Sequence, residues 1–327
     1  MNDGKGNRSL YFSEFYKDFP EAARYETSCL SNSYGSFKIL ELTDNYLLTE
    51  GDPEPLKDSS SIRRISEVIW SGPELGLLGG AGIPEGRFFV RVADYNGCHG
   101  SSSEPVIGEL LGGRGRIDFV NPDFIIRAYH GNKWYLCREI WNNSITADFQ
   151  RRAQMRPFFS PISLSPRTAR LMINLSGTVK GSTILDPFCG TGGILIEGGI
   201  LGRRVIGNDF TLSMASGTRI NLKYYGIKNS KVFNVDALVL DPGEVVNAIV
   251  SDLPYGRNSK VSSKDMLVFY ESSMRRMLCL IERGNRMVIM INSPELIRVP
   301  DDLELLKTLS FAVHKSLTRH IMVFRKL

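Results

Sequence analysis

Apolar positions along the first 60 residues come in short runs. Leu10 to Tyr16 is aromatic and reads as a strand, Pro20-Glu21-Ala22-Ala23 opens a helix with proline in its first turn, and Ser36 to Thr49 reads as a hairpin around Thr43-Asp44-Asn45. Gly51-Asp52-Pro53-Glu54-Pro55 breaks the pattern and closes a first α+β unit, residues 1–60. A second unit, 61–147, begins with an expected helix over Ser61 to Trp70 and a glycine-rich break, Gly76 to Gly82. It continues with a strand at Phe88 to Val92, a short helix at Glu104 to Leu111, and two strands, Asp123–Tyr129 and Trp134–Ile140, about the turn His130-Gly131-Asn132-Lys133. Residues 148–160 carry Arg151, Arg152 and Arg156 without periodicity and read as an ordered linker.

From residue 161 to 327 strand and helix alternate. Ser165 caps a helix that starts at Pro166, with Leu164, Thr168, Leu171, Met172 and Leu175 on one face. Strands are expected at Thr183–Phe188, Arg204–Asp209, Lys231–Asp236, Asn247–Asp252 and Arg286–Ser293, and a long helix at Lys264–Glu282. This alternation predicts an α/β domain with a parallel, doubly wound sheet. Phe311–Leu317 and His320–Arg325 are too close in the chain for a parallel crossover, so the sheet ends in an antiparallel pair.

Composition narrows the function classes. No apolar run approaches a membrane span, the longest dense one being Met287 to Ile291, and Met1 to Leu10 lacks the apolar core of a signal peptide, so a cytoplasmic protein is expected. Cys29, Cys98, Cys137, Cys189 and Cys279 are scattered and odd in number, which favours neither disulfides nor a metal site. The net charge of +5 is compatible with a nucleic-acid partner and does not by itself argue for one.

The chemistry lies in the α/β half. Four successive expected strands end in an acid: Asp186, Asp209, Asp236 and Asp252. A lone strand-end aspartate usually caps a helix or shapes a loop, but four in register converge on the crevice where open α/β sheets bind ligands. Asp186-Pro187-Phe188-Cys189-Gly190-Thr191-Gly192-Gly193 is a glycine-rich turn leading into a helix, able to bring backbone N–H groups close to a ligand. Asp209 suits the two hydroxyls of a ribose, and Asp236 suits an amine donor such as adenine N6. Asp252-Leu253-Pro254-Tyr255-Gly256 resembles the Asp/Asn-Pro-Pro-Tyr/Phe motif of amino-methyltransferases, with Leu253 in place of the first proline. An exocyclic purine amine is a weak nucleophile, because its lone pair is delocalised into the ring. The Asp252 carboxylate and a neighbouring main-chain carbonyl would hold its two N–H bonds and aim that lone pair, while Tyr255 stacks on the base.

With these residues in place, the chain resembles the archaeal THUMP-containing tRNA (guanosine-N2-)-methyltransferases that act on guanosine 10. Beside Asp186–Gly193, Asp209, Asp236 and Asp252–Gly256, the resemblance rests on Arg156-Pro157-Phe158-Phe159-Ser160-Pro161, on Ser163 to Arg170, and on Asn121-Pro122-Asp123-Phe124-Ile125-Ile126-Arg127, similar to a THUMP strand. Residues 1–60 match an N-terminal ferredoxin-like domain in layout. The resemblance implies a Rossmann-like S-adenosyl-L-methionine methyltransferase domain. Its cofactor residues would be Asp186, Gly190 and Gly192 by the methionine part, Asp209 on the ribose, and Asp236 with Ala237 at the adenine, with Phe188, Thr191, Phe210 and Asp252 also binding the cofactor. Ser163 and Thr168 belong to a segment closing over the methionine end. Catalysis would fall to Asp252, Leu253, Pro254 and Tyr255. The N-terminal domains would grip tRNA, with Arg151, Arg152 and Arg156 as RNA contacts. A small zinc-binding activator subunit accompanies some relatives, and no residue here demands or excludes it.

Competing readings are an amino-methyltransferase acting on DNA adenine or on guanosine 6 of tRNA, and a tRNA-binding module without activity. A nicotinamide dehydrogenase is disfavoured, because no hydride-transfer set accompanies the glycine-rich turn.

Overall fold

A computed structural model describes residues 9–80, 82–95, 103–112, 115–143, 149–161, 163–255, 263–314 and 317–327. Cys98, Asp148, Gly256 and the 315–316 turn between the last two strands lie outside these residues. The chain divides into two units, Met1–Arg24, Gly35–Lys57 and Ile62–Asn143 in one, and Tyr25–Tyr34, Asp58–Ser61 and Ser144–Leu327 in the other.

The first unit is built on strands β1 (Leu10–Phe15), β2 (Phe37–Leu42), β3 (Tyr46–Gly51), β4 (Ile62–Gly72), β5 (Arg87–Asp94), β6 (Arg116–Ile117), β7 (Phe124–His130) and β8 (Trp134–Asn142), with helix α2 (Ser103–Leu111); helix α1 (Pro20–Tyr34) starts in this unit and from Tyr25 onward belongs to the second. They form one eight-stranded sheet in the order β2-β3-β1-β4-β8-β7-β5-β6. Residue 60 therefore does not separate two sheets: β4 pairs with β1 on one edge and β8 on the other.

The helix expected at Ser61 to Trp70 is instead β4. Ile62, Ile65 and Ile69 sit at helix-like spacings of three and four. The cause is bulging: the register skips Arg63 against β1 and Ile69 against β8. An extra residue at each bulge breaks the two-residue alternation that marks a strand, while the β-branched and aromatic content remains strand-like.

The second unit carries β9 (Thr183–Asp186), β10 (Arg204–Asn208), β11 (Ser230–Phe233), β12 (Val246–Asp252), β13 (Ile281–Ile291), β14 (Leu303–His314) and β15 (Leu317–Lys326). Its helices are α3 (Pro166–Leu175), α4 (Gly193–Ile200), α5 (Leu212–Tyr224) and α6 (Ser263–Leu278). Strand order is β11-β10-β9-β12-β13-β15-β14, parallel from β11 through β13 and antiparallel beyond. The order reverses between β9 and β12, which opens a crevice at their carboxyl ends.

Ser165 caps α3 by accepting from the Thr168 N–H at 3.1 Å, with Pro166 as first helical residue. Several expected bounds shift: β9 stops at Asp186, β14 begins at Leu303 rather than Phe311, and Leu317 opens β15 instead of closing β14. Strand β11 stops at Phe233, because Asn234 turns its side chain onto the carbonyls of Asp209 and Phe210, 2.8 Å each. Helix α6 ends at Leu278 in a tight turn, Leu280 N–H to Met277 carbonyl, so Ile281 opens β13 rather than extending the helix. Met274, Met277, Val246, Ile249, Met287 and Ile289 build the core under the crevice. Among the described residues no helix is long and apolar enough to cross a membrane.

Candidate active site

Strand β9 delivers Asp186 to the crevice floor, where it is buried. One of its oxygens accepts from the Ser251 hydroxyl at 2.6 Å and the Phe188 N–H at 3.1 Å. Burial outweighs these bonds and the nearby Asp252 and Asp209 charges add to it, pushing the carboxyl up to about 7. The chain then turns into α4 through Gly190 and Gly192, at φ 54° and 82°. Both are left-handed, and a Cβ at Gly192 would also lie 2.9 Å from Thr218 Cγ2, so only glycine fits there.

Asp209, just past β10, accepts from the Gly190 N–H at 3.0 Å and the Thr211 N–H at 2.8 Å. Its carboxylate thus braces the glycine turn while facing the same space. Asp236 lies in the loop after β11 and accepts from the Leu238 N–H at 2.9 Å.

Across the reversal point, β12 ends in Asp252. The Tyr255 hydroxyl donates to it, and the Arg319 guanidinium carbon sits 5.7 Å from the Tyr255 ring centre. Burial pushes Asp252 up to about 6 despite the Tyr255 bond and the Arg319 charge, which pull it down. Burial and the adjoining carboxylate push the Tyr255 phenol well above its ordinary range.

These groups line a cavity of about 610 Å³. Ser163, Asp186, Phe188, Gly190, Thr191, Asp209, Phe210, Asp236, Ala237, Asp252, Leu253, Pro254 and Tyr255 all face it. Phe210 stands 77% exposed at its rim. Two polar regions in a largely apolar lining, one around the glycine turn and one around Asp252, suit two reactants placed side by side.

Residues 153–321 match the RMKL-like methyltransferase domain. The tRNA (guanine(10)-N2)-dimethyltransferase of Pyrococcus abyssi is 31% identical, over 96% of this chain and 99% of its own length. The chain belongs to that family. The Methanothermobacter thermautotrophicus protein of the same name is 37% identical over 64% of each chain. In fold, the chain is similar to TrmN from Thermus thermophilus, at TM-score 0.60 and 19% identity over 97% of this chain and all of the other.

Within this tRNA (guanine(10)-N2)-dimethyltransferase family member, three sets of expected site residues sit elsewhere. Thr168 does not line the cavity; its hydroxyl and N–H both engage Ser165 in the helix cap. Gly192 shapes the turn as the left-handed cap of α4 without lining the cavity. The third set is the linker arginines. Arg156 is 5% exposed and donates to the Arg151 carbonyl and, at 3.3 Å, to Thr191 Oγ1, whose partner Ser163 Oγ lies at 3.0 Å. Arg151 pairs at 2.6 Å with buried Glu197, which also holds Arg170. Arg156 thus braces the glycine turn and Arg151 is tied to α4 through Glu197, so both side chains are engaged within the protein, while Arg152 is exposed and stacks on Phe149.

Sequence reasoning also missed the ties on that turn. Thr218 Oγ1 donates to the Gly190 carbonyl at 2.7 Å, and Asn221 Nδ2 to the Thr191 carbonyl at 2.9 Å. Both lie on α5, three residues apart on one face, and no local motif marks them.

Proposed function

We propose that this protein methylates the exocyclic N2 amine of guanosine 10 in tRNA, using S-adenosyl-L-methionine, and proceeds to N2,N2-dimethylguanosine. The observation that carries the reading is the convergence of Asp252 and the Leu253-Pro254-Tyr255 loop on the cavity that also holds Asp186, Asp209 and Asp236.

The residues fit the cofactor. The cavity volume lies within the roughly 300–1,000 Å³ common for small-molecule sites. Asp209 retains acceptor capacity for a ribose diol beyond its two main-chain bonds. Asp236 offers an acceptor for an adenine amine, Phe210 an exposed ring at the rim, and Asp186 an acid for the amino-acid end. Bound there, S-adenosylmethionine supplies an electrophilic methyl on a sulfonium.

The chain's own part is orientation and proton transfer. Asp252 and the Leu253 carbonyl accept the two N–H bonds of the guanine amine and direct its lone pair. Asp252 then takes the proton released as the new N–C bond forms; a carboxylate near 6 is ionised at neutral pH yet basic enough for this. A monomethylated amine keeps one N–H for an acceptor, so a second transfer uses the same residues. Residues 1–147, with exposed Arg152, hold the tRNA in this reading.

The test is to treat unmodified tRNA transcript with enzyme and labelled cofactor and map the label. Label at guanosine 10 is expected, falling at least about 10²-fold with Asp252→Ala while cofactor affinity stays within about threefold. Label on adenine would overturn the chemistry, label at guanosine 6 the target, and a fully active variant the role of Asp252.

A further inference from the structure

The loop after Asp252 departs from its motif at Leu253, where a proline ring would otherwise stiffen the backbone. Proline fixes φ and has no N–H to donate. Leu253 has one, and it donates to the Met290 carbonyl on β13 at 3.0 Å. Its side chain packs in the core below, among Tyr270 and Met274, although Leu253 also lines the cavity. What Leu253 offers the cavity is therefore backbone.

The next anchor comes from α6. The Tyr270 hydroxyl donates to the Pro254 carbonyl at 2.9 Å, and Tyr270 is 1% exposed. Burial and the Asp252 charge push its phenol up to about 12, so it remains a donor throughout the neutral range. The Leu253 carbonyl belongs to the planar peptide joining Leu253 to Pro254. Its orientation is bracketed by a bond to the Leu253 N–H on one side and, on the other, by the Pro254 ring and a bond to the Pro254 carbonyl.

We propose that Tyr270 is a positioning residue for methyl transfer: with the Leu253–Met290 bond, it holds the Leu253 carbonyl in place as second acceptor, replacing the stiffness of a proline ring at 253. The inference rests on the amine-orienting role given above to this loop. It assigns the tyrosine a task in the first methylation above all, when two N–H bonds must be held; a monomethylated amine has one left, for Asp252.

Tyr270→Phe removes only the hydroxyl. The expected result is a drop in kcat for the first methylation of about tenfold, with KM for tRNA and cofactor affinity within about twofold. The second methylation, started from tRNA carrying N2-methylguanosine, should slow by less than about threefold. In a Leu253→Pro background, where the ring restores stiffness, the cost of Tyr270→Phe on the first step should shrink to about twofold. The proposal is overturned if Tyr270→Phe keeps full kcat, or slows both methylations equally. An undiminished effect beside Leu253→Pro would also overturn it; should that background not fold, the comparison of the two methylations decides alone. Asp252→Ala separates the levels: if that variant stays active, the reading of the loop fails. If it is inactive while Tyr270→Phe is normal, only the tyrosine's role fails.

Discussion

Asp252 has to be an anion to accept the amine protons, and its surroundings set the pH at which that holds. The groups facing it are the Tyr255 hydroxyl and the Arg319 guanidinium, with the Asp186 carboxyl and Tyr270 phenol responding to its charge. Burial raises it to about 6, so kcat/KM should fall as pH drops through that value and the carboxylate takes up a proton. Arg319 favours the charged form. Arg319→Met should therefore raise Asp252 further and move the acidic limb of the profile to higher pH, while Arg319→Lys leaves it near the wild-type position. A pH–rate series on the three proteins checks this, and an unmoved limb in the methionine variant would remove Arg319 from the account.

At the level of elements, the site hangs on helix α5 as much as on the strands. Asn221 donates to the Thr191 and Phe158 carbonyls and accepts from the Phe158 N–H, all at 2.9 Å, so one buried amide joins the glycine turn to the linker. Asn221→Ala leaves these groups unmatched. It should lower unfolding free energy by about 1–3 kcal/mol and weaken cofactor binding, read from denaturant melts with and without cofactor. The turn itself was legible in the sequence because Gly190 and Gly192 are demanded by local backbone geometry, and Asp186, Asp209 and Asp252 because strand ends converge at a switch point. Asn221, Thr218 and Ser251 were not legible: their partners are 30, 28 and 65 residues away, and such ties leave no periodic trace. Strand β4 was misread for a related reason, since its bulges answer to the registers of β1 and β8 rather than to its own alternation.

At the scale of the whole molecule, the unit that holds the site is not one stretch of chain. It includes Tyr25–Tyr34 and Asp58–Ser61. Glu26, fully buried, accepts from Ser59 Oγ and Ser60 N–H at 2.8 Å, from Ser61 N–H at 3.1 Å, and from Asn174 Nδ2 at 2.7 Å. Asn174 also donates to the Asp58 carbonyl, Arg167 to the Ser60 carbonyl, and Arg286 reaches Cys29 as well as the Leu175 carbonyl. A fragment starting at Pro157 loses Glu26, Cys29 and residues 58–61, and of these bonds keeps only that of Arg286 to the Leu175 carbonyl. It should unfold at a denaturant midpoint well below that of the full chain, lower by several kcal/mol (about 3–5) in stability. Its cofactor affinity should persist where it remains folded, and its tRNA affinity should be lost. Equal midpoints for the two would show that residues 25–34 and 58–61 are dispensable to the unit.

The Glu26 cluster also imposes a timetable on synthesis. Ser60 follows Glu26 by 34 residues, but Asn174 follows it by 148. At roughly 5–20 residues per second on the ribosome, the amide is made some ~7–30 s after the acid it will hold. During that interval the nascent chain carries an acidic side chain destined for burial, whose earlier partners among the described residues are Ser59, Ser60 and Ser61. The methyltransferase core thus closes around a piece of chain made long before it, so a pause between Ser61 and Asn174 lengthens the exposure of that half-built pocket to aggregation and proteolysis.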